Sequence, residues 1–222
     1  MYKNKSGTAC AAVHGDRRAG QSKPYEIKMR KNKLRACYMQ RRRELDPAEK
    51  AVRDEKICAA VTSLASYRYC GTVLLYAPTE YEIDVRPVFD RALRDGKRVA
   101  FPRCRTEDRS MTFHFVSSWD ELLPGSIGSI PEPPEDAPVY DTDDRGGEET
   151  AICVIPAILF DKDGYRIGYG KGYYDRYLPH FRGTKIGVIY SDFTIECVPR
   201  GKFDLSADVL ITEKGVRAIH AK

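Results

Sequence analysis

The chain has 222 residues, 42% of them hydrophobic and 31% charged, with a formal net charge of +5. That balance fits one globular domain with a substantial core and excludes a fibrous or wholly disordered chain. No apolar run approaches the roughly 20 residues a membrane helix requires, and so modest a charge does not separate anionic small substrates from nucleic acid.

Residues 1–24 are polar, basic and without periodicity, and are expected to form a disordered extension; residues 25–222 form the single domain. The extension lacks the apolar core of a secretory signal; organellar targeting is the alternative it leaves open, a weak one because Asp16 interrupts the basic stretch. The seven cysteines (Cys10, Cys37, Cys58, Cys70, Cys104, Cys153 and Cys197) are odd in number and contain no C-x-x-C. This argues against a zinc site or a disulfide framework and for a cytoplasmic location.

Residues 26–45 read as a basic amphipathic helix with Leu34, Cys37, Tyr38 and Leu45 on one face. Lys31 and Arg35 stand four apart and project together, so either an anion lies between them or they belong to a solvated basic face. Arg41, Arg42 and Arg43 admit the same plain reading, with nucleic acid as the sharper alternative. Asp46-Pro47-Ala48-Glu49 is a helix start, and Ile57, Val61 and Leu64 give the buried stripe of a second helix.

A short apolar run, 72–76, predicts a buried strand whose exit loop, 77–83, is rich in polar and aromatic groups. Asp84 caps a helix with Val85, Val88, Phe89, Ala92 and Leu93 at i, i+3, i+4, i+7 and i+8, and 98–101 is the next strand. Strand, helix and strand of these lengths make a βαβ unit with a parallel pair. The alternating run 111–116 predicts a half-exposed edge strand, and the Pro- and Gly-dense stretch 123–138 is either a linker or a cleft wall. Residues 141–149 are acidic and expected to be mobile, while 151–155 is the most apolar strand and should be central. Strands at 185–190 and 208–212 complete a three-layer α/β/α Rossmann-like fold with a mixed, mostly parallel sheet.

The chemistry concentrates at 161–178. Gly168, Gly170 and Gly172 leave the backbone free to take φ > 0 and to approach a ligand. A helix is expected to begin near Gly172, and a glycine loop entering a helix suits phosphate. Lys171 supplies a mobile cation and Arg166 a planar one, while Asp175, about one turn inside the helix, could hold a hard metal ion. The pattern is neither a P-loop, since Lys171 is followed by glycine, nor a G-x-G-x-x-G fingerprint. Asp161-Lys162-Asp163-Gly164 begins like a calcium loop but lacks the later ligands. The alternative is a glycine-rich hairpin or helix cap without a ligand. No Ser–His or Cys–His pair is signalled, so the inventory favours phosphoryl transfer from a nucleotide over nucleophilic acyl transfer.

The run Arg166-Ile167-Gly168-Tyr169-Gly170-Lys171-Gly172-Tyr173-Tyr174-Asp175-Arg176-Tyr177-Leu178 closely resembles the signature of the 5-formyltetrahydrofolate cyclo-ligases. Further pieces fit in order: Lys31 with Leu34-Arg35, 76–84, Pro131-Glu132-Pro133 and 156–161. The resemblance implies closure of 5-formyltetrahydrofolate to 5,10-methenyltetrahydrofolate with ATP and magnesium; the chain is expected to act as a monomer, without nucleic acid or membrane. It implies ATP contacts from Lys31, Arg35, Arg166, Gly168, Gly170, Lys171, Gly172, Tyr173 and Tyr174, with Lys171, Arg166 and Tyr174 catalytic. It implies folate contacts from Ala77, Glu82, Tyr169, Gly170, Lys171, Gly172 and Tyr173, Glu82 holding the pterin, and magnesium on Asp175 and Asp208. Many relatives carry an arginine where Tyr169 stands, and some a tryptophan near Ile127 and Gly128. Two readings of other classes stand beside it: a nucleic-acid-binding module using Arg41, Arg42 and Arg43, and a folate-binding protein without ATP turnover.

Overall fold

A computed structural model describes residues 24–125, 127–128, 130–141 and 150–219. The expectations for residues 1–23 and for the acidic stretch 142–149 lie outside the described residues. Three helices come first: α1 (Pro24–Arg43), α2 (Pro47–Ser63) and α3 (Ala65–Tyr69). Asp46 caps α2 as its sequence demands, its carboxylate accepting from the Ala48 and Glu49 amides at 3.0 and 2.9 Å.

Strand β1 (Thr72–Leu74), helix α4 (Arg86–Arg94) and β2 (Arg98–Cys104) form the expected parallel βαβ unit, with Thr72 in register with Arg98. Strand β3 (Met111–Val116) runs antiparallel to β2 at the sheet edge. A small hairpin, β4 (Leu123–Pro124) with β5 (Pro131–Glu132), lies in the Pro- and Gly-dense stretch. Strand β6 (Ala151–Ile155) follows, buried along its whole length. Then come β7 (Leu159–Asp161), β8 (Arg166–Ile167), the five-residue helix α5 (Tyr173–Tyr177) and β9 (Thr184–Val188). Strands β10 (Thr194–Ile195), β11 (Val209–Thr212) and β12 (Gly215–Ala218) complete the described chain.

The main sheet has the order β12-β11-β9-β6-β1-β2-β3. Five parallel strands fill its middle, and an antiparallel strand closes each edge. A second sheet, β10-β7-β8, sits beside it. Alternation along the strands divides the core in two. Val73, Val99, Ile152 and Val154 pack with Leu34, Ile57, Val61, Val88 and Phe89 from the long helices, whereas Leu74, Ala100, Cys153 and Ile155 pack with Phe113, Leu178 and Phe181. The three layers are therefore unequal: the second face is covered by the single turn of α5 and the residues that follow it.

Cys58, Cys70, Cys104, Cys153 and Cys197 are free thiols, as expected, but Cys37 is disulfide-bonded. The Arg41–Arg43 triplet is not one solvated face. Arg42 is buried, Arg41 lies over the Tyr38 and Phe193 rings at 4.9 and 5.3 Å, and only Arg43 stays exposed.

Candidate active site

Strands β6, β1 and β2 are neighbours and parallel, so their carboxyl ends open on one side of the sheet, where open α/β folds place ligands. A cavity of about 220 Å³ lies there. Its wall brings together Lys31 and Arg35 of α1, Ala77, Thr79 and Glu82 after β1, Pro156 after β6, the loop from Arg166 to Asp175, and Asp204. Every sequence-predicted site residue is among them except Asp208. Ile127 and Ile130 rather than the Pro-Glu-Pro triplet supply the cleft wall from the proline-rich stretch.

The approach to the glycine loop is set by Asp161, which is fully buried. Its Oδ1 accepts from the Asp163 and Tyr165 amides at 3.0 Å each, and Oδ2 from the Val198 amide at 3.0 Å and Arg200 Nη2 at 2.9 Å. The calcium-like tetrapeptide is thus an aspartate-closed turn, with Gly164 at φ 80°. The turn delivers Arg166 to β8 and leaves residues 168–172 to cross the cavity. Gly170 and Gly172 take φ 91° and 79°, as expected; Gly168 does not need positive φ. A Cβ on Gly170 would stand 3.1 Å from Arg35 Cζ. That arginine packs on the loop and donates through Nε to the Gly168 carbonyl at 2.7 Å.

Helix α5 begins at Tyr173, as the spacing predicts, but it is only one turn long. Its dipole adds little, and any anion at this loop relies on side-chain cations. Lys171 is exposed and has no ion-pair partner among the described residues. Arg166 is 7% exposed and bound to Asp175 at 2.6 Å, while Lys31 is bound to Asp204. Asp175 lies in the first turn of α5. Burial lowers the affinity of Arg35 for its proton; the charges of Asp175 and Asp204 oppose this, which sets both carboxylates near it.

Asp204, which sequence reading missed, lines the cavity, and Asp208 does not. Strand β11 runs parallel to β9, and Asp208 stands just before it, at the amino ends of the strands. There its carboxylate accepts from the Lys185 amide at 2.8 Å and pairs with Lys185 Nζ at 3.1 Å, away from the cavity. Asp-Leu-Ser-Ala-Asp offers two carboxylates four apart, and only the point where β11 begins decides between them. No group of three or more His, Cys, Asp or Glu able to hold a metal forms among the described residues. Two cavity carboxylates suit magnesium, which takes one or two from the protein and its other oxygens from phosphates and water.

Across the cavity Glu82 is buried, its Oε2 accepting from the Thr79 amide and hydroxyl at 2.9 Å each. Thr79 is a second residue that sequence reading missed. Tyr169 brings its hydroxyl to the same place: burial first, then the charge of Glu82, push its phenol up to about 12, with a bond to Thr79 opposing. The Tyr174 hydroxyl is buried without a hydrogen-bond partner among the described residues, and burial pushes that phenol well above its ordinary value. A protonated phenol can donate a hydrogen bond. Pro102, Cys104, Met111 and Ile127 give the cavity apolar walls.

Residues 27–213 match the 5-formyltetrahydrofolate cyclo-ligase family. The chain belongs to this family. Among cyclo-ligase relatives, the 5-formyltetrahydrofolate cyclo-ligase of Mycolicibacterium smegmatis is 29% identical over 85% of this chain and 97% of its own. A probable 5-formyltetrahydrofolate cyclo-ligase of Schizosaccharomyces pombe is 26% identical over 87% of this chain and 100% of its own. Two solved structures share the fold. The 5,10-methenyltetrahydrofolate synthetase of Aquifex aeolicus is 33% identical with a TM-score of 0.74, covering 86% of this chain and 94% of that one. The synthetase of Mycoplasma pneumoniae is 26% identical with a TM-score of 0.65, covering 82% and 98%.

Proposed function

We propose that the chain converts 5-formyltetrahydrofolate to 5,10-methenyltetrahydrofolate, consuming ATP with magnesium and releasing ADP and phosphate. The observation that carries this reading is the pairing of two unlike subsites in one cavity: a glycine loop among cations, and a buried, turn-held carboxylate.

A formyl group on nitrogen is amide-like, so its oxygen leaves poorly until it is phosphorylated. In the proposed reaction that oxygen attacks the γ-phosphorus of ATP and ADP departs. N10 then attacks the activated carbon and gives up its proton, the five-membered ring closes, and the C–O bond breaks with loss of phosphate, which takes that proton as hydrogen phosphate. Catalysis of the first step is mainly positioning and neutralisation of charge. Lys171, which has no ion-pair partner among the described residues, would meet the transferring phosphoryl group, with Lys31 and Arg35 on the remaining phosphates. Tyr174, held neutral, would donate to an oxygen of ligand. Glu82 would accept two ring N–H bonds from the pterin, the pattern a fixed carboxylate favours. Magnesium would offset phosphate charge, with Asp175 and Asp204 as its protein ligands.

Asp204 pairs with Lys31 and Asp175 with Arg166, so each of those carboxylates neutralises one cation of the cavity. Arrival of the magnesium nucleotide would exchange these pairs, phosphate replacing carboxylate at Lys31. We place the reaction in the cytoplasm, where five of the described cysteines would stay free thiols as they are here while Cys37 is disulfide-bonded, and assign it to a monomer. No helix among the described residues is long and apolar enough to cross a membrane.

The direct test is formation of methenyltetrahydrofolate, followed by absorbance with purified protein. Product should form only when 5-formyltetrahydrofolate, ATP and magnesium are all present. Product formed equally without ATP would refute the proposal.

A further inference from the structure

The scheme above leaves Arg42 without a task, although it is the third cation along one face of α1. It follows Lys31 by eleven residues and Arg35 by seven, about three and two helical turns. The residue is only 3% exposed. Its Nη1 donates to the Tyr81 carbonyl at 3.0 Å and its Nη2 to the Ala157 carbonyl at 2.5 Å, while Nε has no partner. The guanidinium lies near the Phe193 and Tyr190 rings, at 5.2 and 5.9 Å from their centroids. It forms no ion pair among the described residues. A buried cation satisfied by carbonyls alone costs stability that an apolar side chain of similar size would not.

The two carbonyls explain the placement. Tyr81 immediately precedes Glu82, and Ala157 immediately follows Pro156; both Glu82 and Pro156 line the cavity. The 79–82 turn is closed on itself by the Glu82 amide donating to the Thr79 carbonyl at 3.0 Å and by the two Thr79 bonds to the carboxylate. Tyr76 Oη holds its far side through the Ile83 carbonyl at 2.9 Å. Arg42 ties this closed turn both to α1 and to the exit of β6. Its charge also acts where that of Glu82 does: the Tyr76 and Tyr169 phenols feel Glu82 raising and Arg42 lowering their affinity for the proton.

We infer that Arg42 is a positioning residue for the folate, a two-carbonyl clamp that holds the Glu82 turn in register with the exit of β6. The pterin then meets a carboxylate already aimed at it. This rests on Glu82 being the folate carboxylate, as proposed above. The helix that presents Lys31 and Arg35 to the nucleotide thereby also sets the folate side of the cavity.

The test uses the full chain and the variants Arg42→Gln and Arg42→Lys. KM for each substrate, the Kd of 5-formyltetrahydrofolate without nucleotide, and Tm are measured. Loss of the clamp in Arg42→Gln should raise the folate KM and Kd about tenfold or more, with the ATP KM within about twofold of wild type. Arg42→Lys keeps the charge but not the planar fork and should fall between the two. A folate Kd within about twofold of wild type in Arg42→Gln would overturn the inference. So would folate and ATP constants that rise in parallel with a lowered Tm, the mark of a purely structural residue. If Arg42→Gln does not fold, Arg42→Lys decides by the same split between folate and ATP. Wild-type turnover is measured first: its absence refutes the proposed function, whereas turnover with a folate Kd indifferent to Arg42 refutes only the clamp.

Discussion

Among the cavity cations, Lys31 and Arg166 hold carboxylates and Arg35 holds the Gly168 carbonyl, while Lys171 has no ion-pair partner among the described residues. An exposed side chain of this kind adds little to folding, so its removal isolates function. Lys171→Ala should fold with an unchanged Tm and lose about 10²–10³ in kcat, the effect of removing one preorganised contact worth about 2.7–4 kcal/mol in the transition state. Single-turnover kinetics with saturating ATP check this; a loss under about threefold would make Lys171 an ordinary surface lysine. Arg42 shows where residue-level reading of the sequence stops. A triplet of arginines reads as solvated surface, and nothing in its composition reveals that the middle one turns inward to two carbonyls contributed by distant loops.

The direction and ends of the strands decide which carboxylates can serve the site. Asp204 lies on the cavity wall, whereas Asp208, at the start of β11, faces Lys185 at the opposite end of the sheet. Asp204→Asn should therefore raise the magnesium concentration needed for half-maximal rate, as should Asp175→Asn. Asp208→Asn should leave that midpoint unchanged and lower Tm modestly, since it breaks only its pairing with Lys185. Magnesium titrations of the three variants check this, and a shifted midpoint in Asp208→Asn alone would contradict the placement. The sequence makes β6 legible through five consecutive apolar residues, and the βαβ unit through clear changes of period. It does not show the shortness of α5, because Tyr173, Tyr174, Tyr177 and Leu178 keep helical spacing beyond the point where the helix ends. Two-residue strands such as β8 and β10 carry no periodicity at all.

At the scale of the whole molecule, the cavity gathers residues far apart in the chain: Lys31 and Asp204, which pair across it, are separated by 173 positions. Local pattern identifies the glycine loop and its cations, but only the parallel order β6-β1-β2 brings their loops to one opening. The resemblance to the cyclo-ligases implied residue roles that spacing left open, and of the carboxylates it named the cavity wall holds Asp175 but not Asp208, with Asp204 in addition. The proposed function implies coupling in this cavity: nucleotide and folate bound against one wall should not turn over independently. The central measurement is therefore the stoichiometry of ADP released to methenyltetrahydrofolate formed. The account predicts one ADP for each ring closed, and negligible ADP when tetrahydrofolate lacking the formyl group replaces the substrate. ADP release that continues at the same rate without the formyl oxygen would contradict it.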